Sequence, residues 1–417
     1  MRRVVVTGLG AVTPVGNDVE TFWNNLTNGV SGIGEITKFD TTDYKVKIAA
    51  EVKEFDPLLY MEKSEVRKED LFSQYAVAAA VQAMNDSGLN AVEGDREVNI
   101  DPERLGVYIG SGTGGMNTFL TETDKLATSG PRKVSPFFIP MMIGNMATGN
   151  VAIRYNAQGP SLPVVTACAT STNAIGEAFR AIRHGYADVV ISGGSEASIN
   201  PLAVAGFQNC MALTQTDDPA RASIPFDKER SGFVIGEGAG ALVLESLEHA
   251  QARGGKILAE VVGYGSTCDA HHVTSPNPSG EDGGRAIRMA MEEAGYTAED
   301  MVYINAHGTS TPLNDSTETK AIKYAMGENA YKAVVSSTKS MTGHMLGAAG
   351  AAEAIAAVIA LETGMIPPTI GYQTPDPDCD LDICPNTAKK ADPTLALSTS
   401  LGFGGHNACI ALRKFGE

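Results

Sequence analysis

Short β-branched runs alternate with helical stretches along this whole chain, and that alternation restricts the fold more than any other feature. Buried parallel strands read as continuous apolar runs and need helices to cover them, so the pattern points to an α/β architecture. Strands are expected at residues 3–7, 105–109, 162–166, 188–194, 239–244, 257–264, 302–307, 334–337, 395–401 and 408–413. Helices are expected at 69–87, closed by Gly88, and at 284–295. A third follows Cys168, with Ile175, Phe179 and Ile182 on one face and Gly185 as its stop, and an Ala-rich helix runs to about Thr363. The second half repeats the grammar of the first. Two related α/β halves are therefore expected, 1–250 and 251–417.

The chain has 417 residues, 43% of them hydrophobic and 19% charged, which suits a large packed core and excludes a disordered chain. A net charge of −17 leaves no basic footprint for nucleic acid, so that class is set aside. Any acidic macromolecular partner would need a local basic patch. The six cysteines are scattered and the apolar run after Met1-Arg2-Arg3 is too short for a signal segment, so free thiols and a cytoplasmic location are expected. The apolar stretch at 347–361 is interrupted by Glu353 and reads as a buried helix, with no membrane span.

Several strands hand over directly to a reactive side chain. Cys168 stands where the 162–166 run meets a helix, among the small neighbours Ala167, Ala169, Thr170 and Ser171. Backbone N–H groups and the positive end of the helix dipole gather there and favour a thiolate, so a low thiol pKa is expected; the competing reading is an inert buried cysteine. His307 follows a strand and precedes Gly308, while His344 follows Gly343 near a helix start. Either could be a satisfied structural histidine. As a pair beside glycines at strand ends they point to a site, where neutral imidazoles could donate to an enolate oxygen. Lys339 is either a surface lysine or a buried ammonium that biases nearby protonation. Phe403, between Gly402 and Gly404, could swing, and its N–H could complete an oxyanion hole with that of Cys168.

Other motifs lead nowhere. Gly110-Ser111-Gly112-Thr113-Gly114-Gly115 lacks the Lys-Ser/Thr ending of a P-loop, and Gly8-Leu9-Gly10 is followed by Thr13 where a dinucleotide fingerprint needs glycine. Cys379 and Cys384 have no second pair nearby, so no metal site is expected. His271-His272 reads as loop.

Taken together, Val164-Val165-Thr166-Ala167-Cys168-Ala169-Thr170-Ser171, Asn305-Ala306-His307-Gly308-Thr309-Ser310-Thr311-Pro312, Lys339-Ser340-Met341-Thr342-Gly343-His344 and Leu401-Gly402-Phe403-Gly404-Gly405-His406-Asn407 resemble the thiolase-fold condensing enzymes, specifically the β-ketoacyl-carrier-protein synthases. The stretches at 311–322 and 44–49 are similar to the synthase II branch. Synthase I is the nearest competitor, and synthase III is disfavoured because that family has Asn where this chain has His344.

The resemblance implies a five-layer αβαβα fold, a homodimer, and elongation of fatty acyl chains by decarboxylative condensation. It implies Cys168 as the acyl acceptor, His307 and His344 as enolate donors, and Lys339 as the charge that orders them. Cys168 and Phe403 would form the oxyanion hole, with Phe403 also the gate, and Asp269 and Thr274 would belong to a neighbouring loop. It implies no metal or organic cofactor, since the substrates arrive on the phosphopantetheine of acyl carrier protein. Thr113, where a larger apolar residue is usual, and Phe138 are candidate acyl-pocket residues. The stretch at 213–224 is poor in Arg for carrier docking, which leaves Lys63, Arg67 and Lys68 as docking candidates; the competing reading is a solvated helix face.

A thiolase would need a second cysteine in a glycine-rich turn, and a non-catalytic chain-length factor would lack Cys168. A ketosynthase of a discrete type II polyketide pathway stays open.

Overall fold

The computed structural model describes residues 1–89 and 99–416. Nine strands form its large sheet: β1 (Val4–Val12), β2 (Leu105–Gly110), β3 (Val189–Glu196), β4 (Gly238–Ser246), β5 (Ala259–Cys268), β6 (Val302–Asn305), β7 (Val334–Ser336), β8 (Leu395–Gly402) and β9 (His406–Arg413). Their spatial order is β2-β3-β4-β1-β5-β9-β8-β6-β7. Counted outward from β1, the pairings are antiparallel to β4, antiparallel to β3, then parallel to β2. Counted outward from β5, they are antiparallel to β9, antiparallel to β8, parallel to β6 and parallel to β7. The halves therefore share one topology, and they join where Val4, Val5 and Val6 pair with Val261, Glu260 and Ala259.

The fifth place of the first half differs from expectation. Residues 162–166 form no strand. Beside β2 the structure has a single parallel bridge, Val107 to Ser161, made by Val107 N–H to the Pro160 carbonyl and Leu162 N–H to the Val107 carbonyl, each at 3.0 Å; Gly159 N–H to the Leu105 carbonyl, also at 3.0 Å, precedes it. Pro160 and Pro163 lack the N–H groups that a ladder needs, so the apolar run makes no ladder beyond Leu162.

The principal helices are α1 (Leu71–Ser87), α2 (Thr170–Arg183), α3 (Pro201–Asn209), α4 (Glu281–Glu293), α5 (Pro312–Met326) and α6 (Ala349–Thr363). Helix α1 lies on β1, β4 and β3, and α4 lies on β5 and β9 with α5 beside it. Helices α2 and α6 touch each other and strands of both halves. The layers are thus helix, sheet, helix, sheet, helix, as the family resemblance implied.

The outer packing recurs at residue level. A Cβ on Gly8 or Gly10 of β1 would run into the carbonyls of Ala83 and Ala79 on α1. A Cβ on Gly263 or Gly265 of β5 would run into those of Ala290 and Ala286 on α4. Glycine against alanine is what lets helix and strand backbones approach this closely. In the middle layer α6 is apolar on every side but for Glu353 and is buried from Ala349 to Leu361, as a helix with no solvent face must be. The segment Leu346–Thr363 is long and apolar enough to cross a membrane by length and composition, but 89% of it is packed inside the fold.

Candidate active site

The parallel strands of both halves deliver their carboxyl ends to one region, where sheet architectures of this kind place their chemistry. A cavity of ≈ 360 Å³ opens there, and Cys168, His307, His344, Phe403, Asp269 and Thr274 all line it. Six candidates scattered over some two hundred residues of sequence thus converge.

Cys168 lies in the single 3-10 turn Ala167–Ala169 that leads into α2. Ala167 before it has φ +51°, a left-handed conformation that a non-glycine residue adopts only when its surroundings hold it there. One restraint is Gly402 at the end of β8: a Cβ there would stand 2.6 Å from the Thr166 carbonyl and 3.3 Å from Cys168 N. The thiol is buried in an apolar cluster with Ile199, Val204, Leu213, Phe233 and Leu346. Tyr44, from a stretch singled out in the sequence, packs against the same cluster.

The low thiol pKa expected from the helix terminus is not what the fold delivers. Burial, assisted by the charge of Glu196, pushes Cys168 up to about 12, against the pull of Lys339 and of the N–H groups of Phe403 and Cys168 itself. Those two N–H groups do face the sulfur, as an oxyanion hole requires. The Phe403 ring packs on Phe207 with centroids 6.4 Å apart.

His307 follows β6 and His344 follows the short helix Lys339–Thr342; both are nearly inaccessible. Their rings stand perpendicular with centroids 5.2 Å apart, and Phe233 packs edge-on to His344 at 5.1 Å. Neither Nδ1 has a hydrogen-bond partner among the described residues. Burial holds both imidazoles well below the usual histidine range, and the Lys339 ammonium pushes the same way. Both are therefore neutral and able to donate an N–H.

Lys339 is buried, not a surface lysine, and is ion-paired with Glu353 of α6. Sequence reasoning saw Glu353 only as an interruption of an apolar run. An acid inside an otherwise apolar helix was the available signal that a buried cation lay nearby. Glu318 of α5 was also missed as a site residue. It accepts from His307 N–H and Gly308 N–H, each at 2.7 Å, and from Thr399 Oγ1 at 2.7 Å. It thereby fixes the turn that carries His307. Burial outweighs these three donors and raises its carboxyl to about 7.

The glycine-rich turn after β2 has a purpose the sequence did not reveal. Gly112 N–H, Thr113 N–H and Thr113 Oγ1 donate to the buried Glu196 carboxylate at 2.9, 3.2 and 2.7 Å, and Gly347 N–H joins them at 3.0 Å. The cradled anion is thus a side chain of β3, not a phosphate. Thr113 is tied up in this network, and neither it nor Phe138, at the start of the helix Phe138–Met142, lines the cavity.

The 269–277 loop is latched to the Phe403 turn. Asn407 Nδ2 donates to Asp269 Oδ1 at 2.6 Å, Asp269 N–H to the Gly405 carbonyl at 2.8 Å, and Gly404 N–H to the Val273 carbonyl at 2.8 Å. His272 Nδ1 accepts from Thr274 N–H and Ser275 N–H within that loop. Lys63, Arg67 and Lys68 are exposed on and just after the short helix Lys63–Val66, away from the cavity lining. Among the described residues no group of three or more His, Cys, Asp or Glu side chains is arranged to hold a metal ion.

A buried thiol facing two N–H donors, beside two neutral imidazoles in a five-layer α/β fold, defines a cysteine-dependent condensing acyltransferase. The family description "Beta-ketoacyl synthase, N-terminal domain" matches residues 1–250, and "Beta-ketoacyl synthase, C-terminal domain" matches 258–373. The chain belongs to the β-ketoacyl synthase family. It is 53% identical to 3-oxoacyl-[acyl-carrier-protein] synthase 2 of Staphylococcus aureus (strain COL) over 414 residues, 99% of each chain. To the protein of the same name from Synechocystis sp. it is 50% identical, over 99% of this chain and 98% of that one. Among solved structures, a β-ketoacyl synthase from Burkholderia phymatum STM815 superposes with a TM-score of 0.92 at 33% identity, and the ishigamide ketosynthase/chain length factor with 0.90 at 38%, each covering 100% of both chains.

Proposed function

We infer that this chain elongates fatty acyl chains as a synthase II-type enzyme, condensing malonyl-carrier protein with an acyl group held on Cys168. The observation that carries this reading is the convergence of Cys168, His307 and His344 on one cavity. Cys168 sulfur attacks the acyl thioester of the first carrier, the N–H groups of Cys168 and Phe403 hold the oxyanion, and the carrier's thiol leaves with the proton. Malonyl-carrier then loses CO2, and the electron pair left behind forms an enolate whose oxygen accepts from His307 and His344. The enolate carbon attacks the acyl-Cys168 carbonyl. The C–S bond breaks, the released Cys168 thiolate takes up a proton to restore the resting thiol, and a 3-oxoacyl chain two carbons longer remains on the carrier.

Neutral imidazoles suit this task because they donate without first giving up a charge to the apolar site. Burial keeps them neutral, and the Lys339 ammonium, paired with Glu353, pushes the same way. Release of CO2 drives the step, so the reading calls for no metal or organic cofactor, and the phosphopantetheine arm belongs to the carrier.

The working enzyme is a cytoplasmic homodimer. Leu162 and Val165 stand 43% and 59% exposed along the unpaired segment that leads to Cys168, an apolar edge that a second copy would cover. All six cysteines are free thiols, which suits a reducing compartment.

A polyketide ketosynthase is the second reading. It is favoured by the likeness to a type II polyketide ketosynthase in complex with its acyl-carrier protein, at TM-score 0.88 and 36% identity. Intact-mass measurement of the carrier after incubation with enzyme, a medium-chain acyl-carrier and malonyl-carrier separates the two. A product two carbons longer, lost with Cys168→Ala, supports fatty-acyl elongation. Acylation of Cys168 without elongation shifts the assignment to the polyketide reading, and no acylation by a matched carrier overturns both.

A further inference from the structure

Thr166, two residues before the nucleophile, is held at its N–H, its carbonyl and its hydroxyl. The N–H donates to Thr170 Oγ1 at 2.9 Å and the carbonyl accepts from Ala169 N–H at 3.0 Å, both within the turn that carries Cys168 into α2. The hydroxyl is held from further away. Thr166 Oγ1 accepts from Asn173 Nδ2 at 2.8 Å, and Asn173 Oδ1 accepts from the Tyr264 hydroxyl at 2.9 Å. Asn173 lies in the first turn of α2, whereas Tyr264 belongs to β5 of the second half. A chain of side-chain hydrogen bonds thus runs from β5, across the nucleophile helix, to the residue before Ala167.

The far end of this chain is fixed. Tyr264 and Asn173 are each only 5% exposed. Gly176 of α2 leaves the space in which the Tyr264 ring lies, since a Cβ there would stand 2.3 Å from ring carbons Cδ2 and Cε2. Tyr264 N–H donates to Glu293 Oε2 at 3.0 Å. Arg180 donates to Glu293 Oε1 at 2.6 Å, and its guanidinium carbon lies 5.8 Å from the centre of the Tyr264 ring. Burial raises the phenol, so it keeps its proton and donates. Glu177 Oε1 is a second acceptor at 3.3 Å, but a phenol has one proton, and the shorter bond goes to Asn173.

The turn that the chain reaches is strained. Ala167 at φ +51° has to be held there, and the Cys168 N–H that helps to form the oxyanion hole moves with it. Bonds within the turn can shift along with the turn, whereas the Asn173–Tyr264 chain refers its position to a strand packed elsewhere. We propose that Tyr264 and Asn173 are positioning residues for acyl transfer: through the Thr166 hydroxyl they hold the Ala167–Ala169 turn so that the Cys168 sulfur and N–H meet the incoming thioester in register with Phe403 N–H. Neither residue lines the cavity. The proposal rests on the condensing reading above and separates its two steps. Acylation depends on this turn, whereas decarboxylation of malonyl-carrier is the task of His307 and His344, which stand on other elements.

The test measures two rates on the same folded samples: acylation of Cys168 by acyl-carrier, followed by intact mass, and CO2 release from malonyl-carrier by unacylated enzyme. Tyr264→Phe removes one oxygen, and Thr166→Val removes the acceptor at constant shape. Each is expected to slow acylation about tenfold to a hundredfold, the effect of a small misplacement of reacting groups, with CO2 release unchanged. Thr166→Ser, which keeps the acceptor, should retain the acylation rate that Thr166→Val loses. The double variant Tyr264→Phe/Thr166→Val should be no slower than the worse single variant, because both break one chain. Unchanged acylation in the single variants overturns the proposal. So does an equal loss in both rates, which marks general damage to the fold, or losses that multiply in the double variant. If Tyr264→Phe does not fold, the contrast between Thr166→Val and Thr166→Ser decides alone. Failure of the unaltered enzyme to acylate would instead refute the condensing reading, and this proposal with it.

Discussion

Lys339 and Glu353 form an ion pair in which both side chains are almost wholly withdrawn from water, 1% and 3% exposed. One charge adds to the burial that keeps two histidines neutral, and the other makes that charge tolerable. Removing one partner leaves the other buried and unpaired. Lys339→Ala is expected to destabilise the fold by about 3–5 kcal/mol. The double variant Lys339→Met/Glu353→Leu should recover most of that loss in urea titration yet remain inactive in condensation. Recovery of activity by the double variant would show that the pair serves only packing.

Cys168 is predicted to be a slow thiol in the resting enzyme. With its pKa pushed up to about 12, alkylation by iodoacetamide should keep accelerating with pH through 9, without a plateau. Lys339→Met, which removes a charge that pulls the pKa down, should slow alkylation further at each pH. A midpoint at or below the ordinary thiol value would mean that the helix terminus outweighs burial.

Gly402→Ala tests the restraint on the nucleophile turn. The added Cβ meets the Thr166 carbonyl at 2.6 Å, so the turn must shift, at a cost of roughly 1–3 kcal/mol. Acyl transfer to Cys168, followed by intact mass, should slow by more than the loss of folded protein explains. An unchanged acylation rate would show that the turn can yield without moving the sulfur.

The two sides of the His307 turn should respond to pH with opposite sign. His344 has a folded pKa below its unfolded value of about 6.5, so its contribution is fully present above that pH. As pH falls below it the unfolded chain takes up a proton that the folded one refuses, and stability drops by about 1.4 kcal/mol per unit. Glu318 has a folded pKa raised from 4.5 to about 7, so its contribution is present below the unfolded value and is lost as pH rises toward 7. In denaturant titrations from pH 4.5 to 7, the stability of wild type relative to His344→Asn should therefore rise with pH, and relative to Glu318→Gln should fall. Parallel curves for either variant would contradict the assigned shift.

Arg67 and Lys68 are exposed, and the Lys68 ammonium lies 5.6 Å from the centre of the Phe137 ring. If these charges help to dock the carrier, reversing both to Glu should raise KM for carrier-borne substrates several-fold at low salt, with less effect at high salt. An unchanged KM at low salt removes them from the docking surface.

The sequence by itself showed the α/β class and marked Cys168, His307, His344, Lys339 and Phe403 as candidates, and the resemblance of four ordered motifs to the β-ketoacyl synthases joined them into one site and supplied the layered fold. The candidates are local signals: an apolar run with strand character hands over to a reactive residue flanked by glycine or other small residues, a pattern that an inert buried cysteine or a structural histidine also fits. The tertiary structure decided what depends on residues far apart. Glu353 meets Lys339 from another helix, Glu318 gathers donors from 307, 308 and 399, and Glu196 gathers them from 112, 113 and 347. The run at 162–166 has strand composition, yet two prolines leave it almost unpaired, because strand formation needs a ladder partner as well as propensity. The direction of the Cys168 pKa was misjudged from sequence for the same reason. A helix terminus is visible in the chain, but desolvation is a sum over everything that packs around the sulfur, and that sum exists only once the chain has folded.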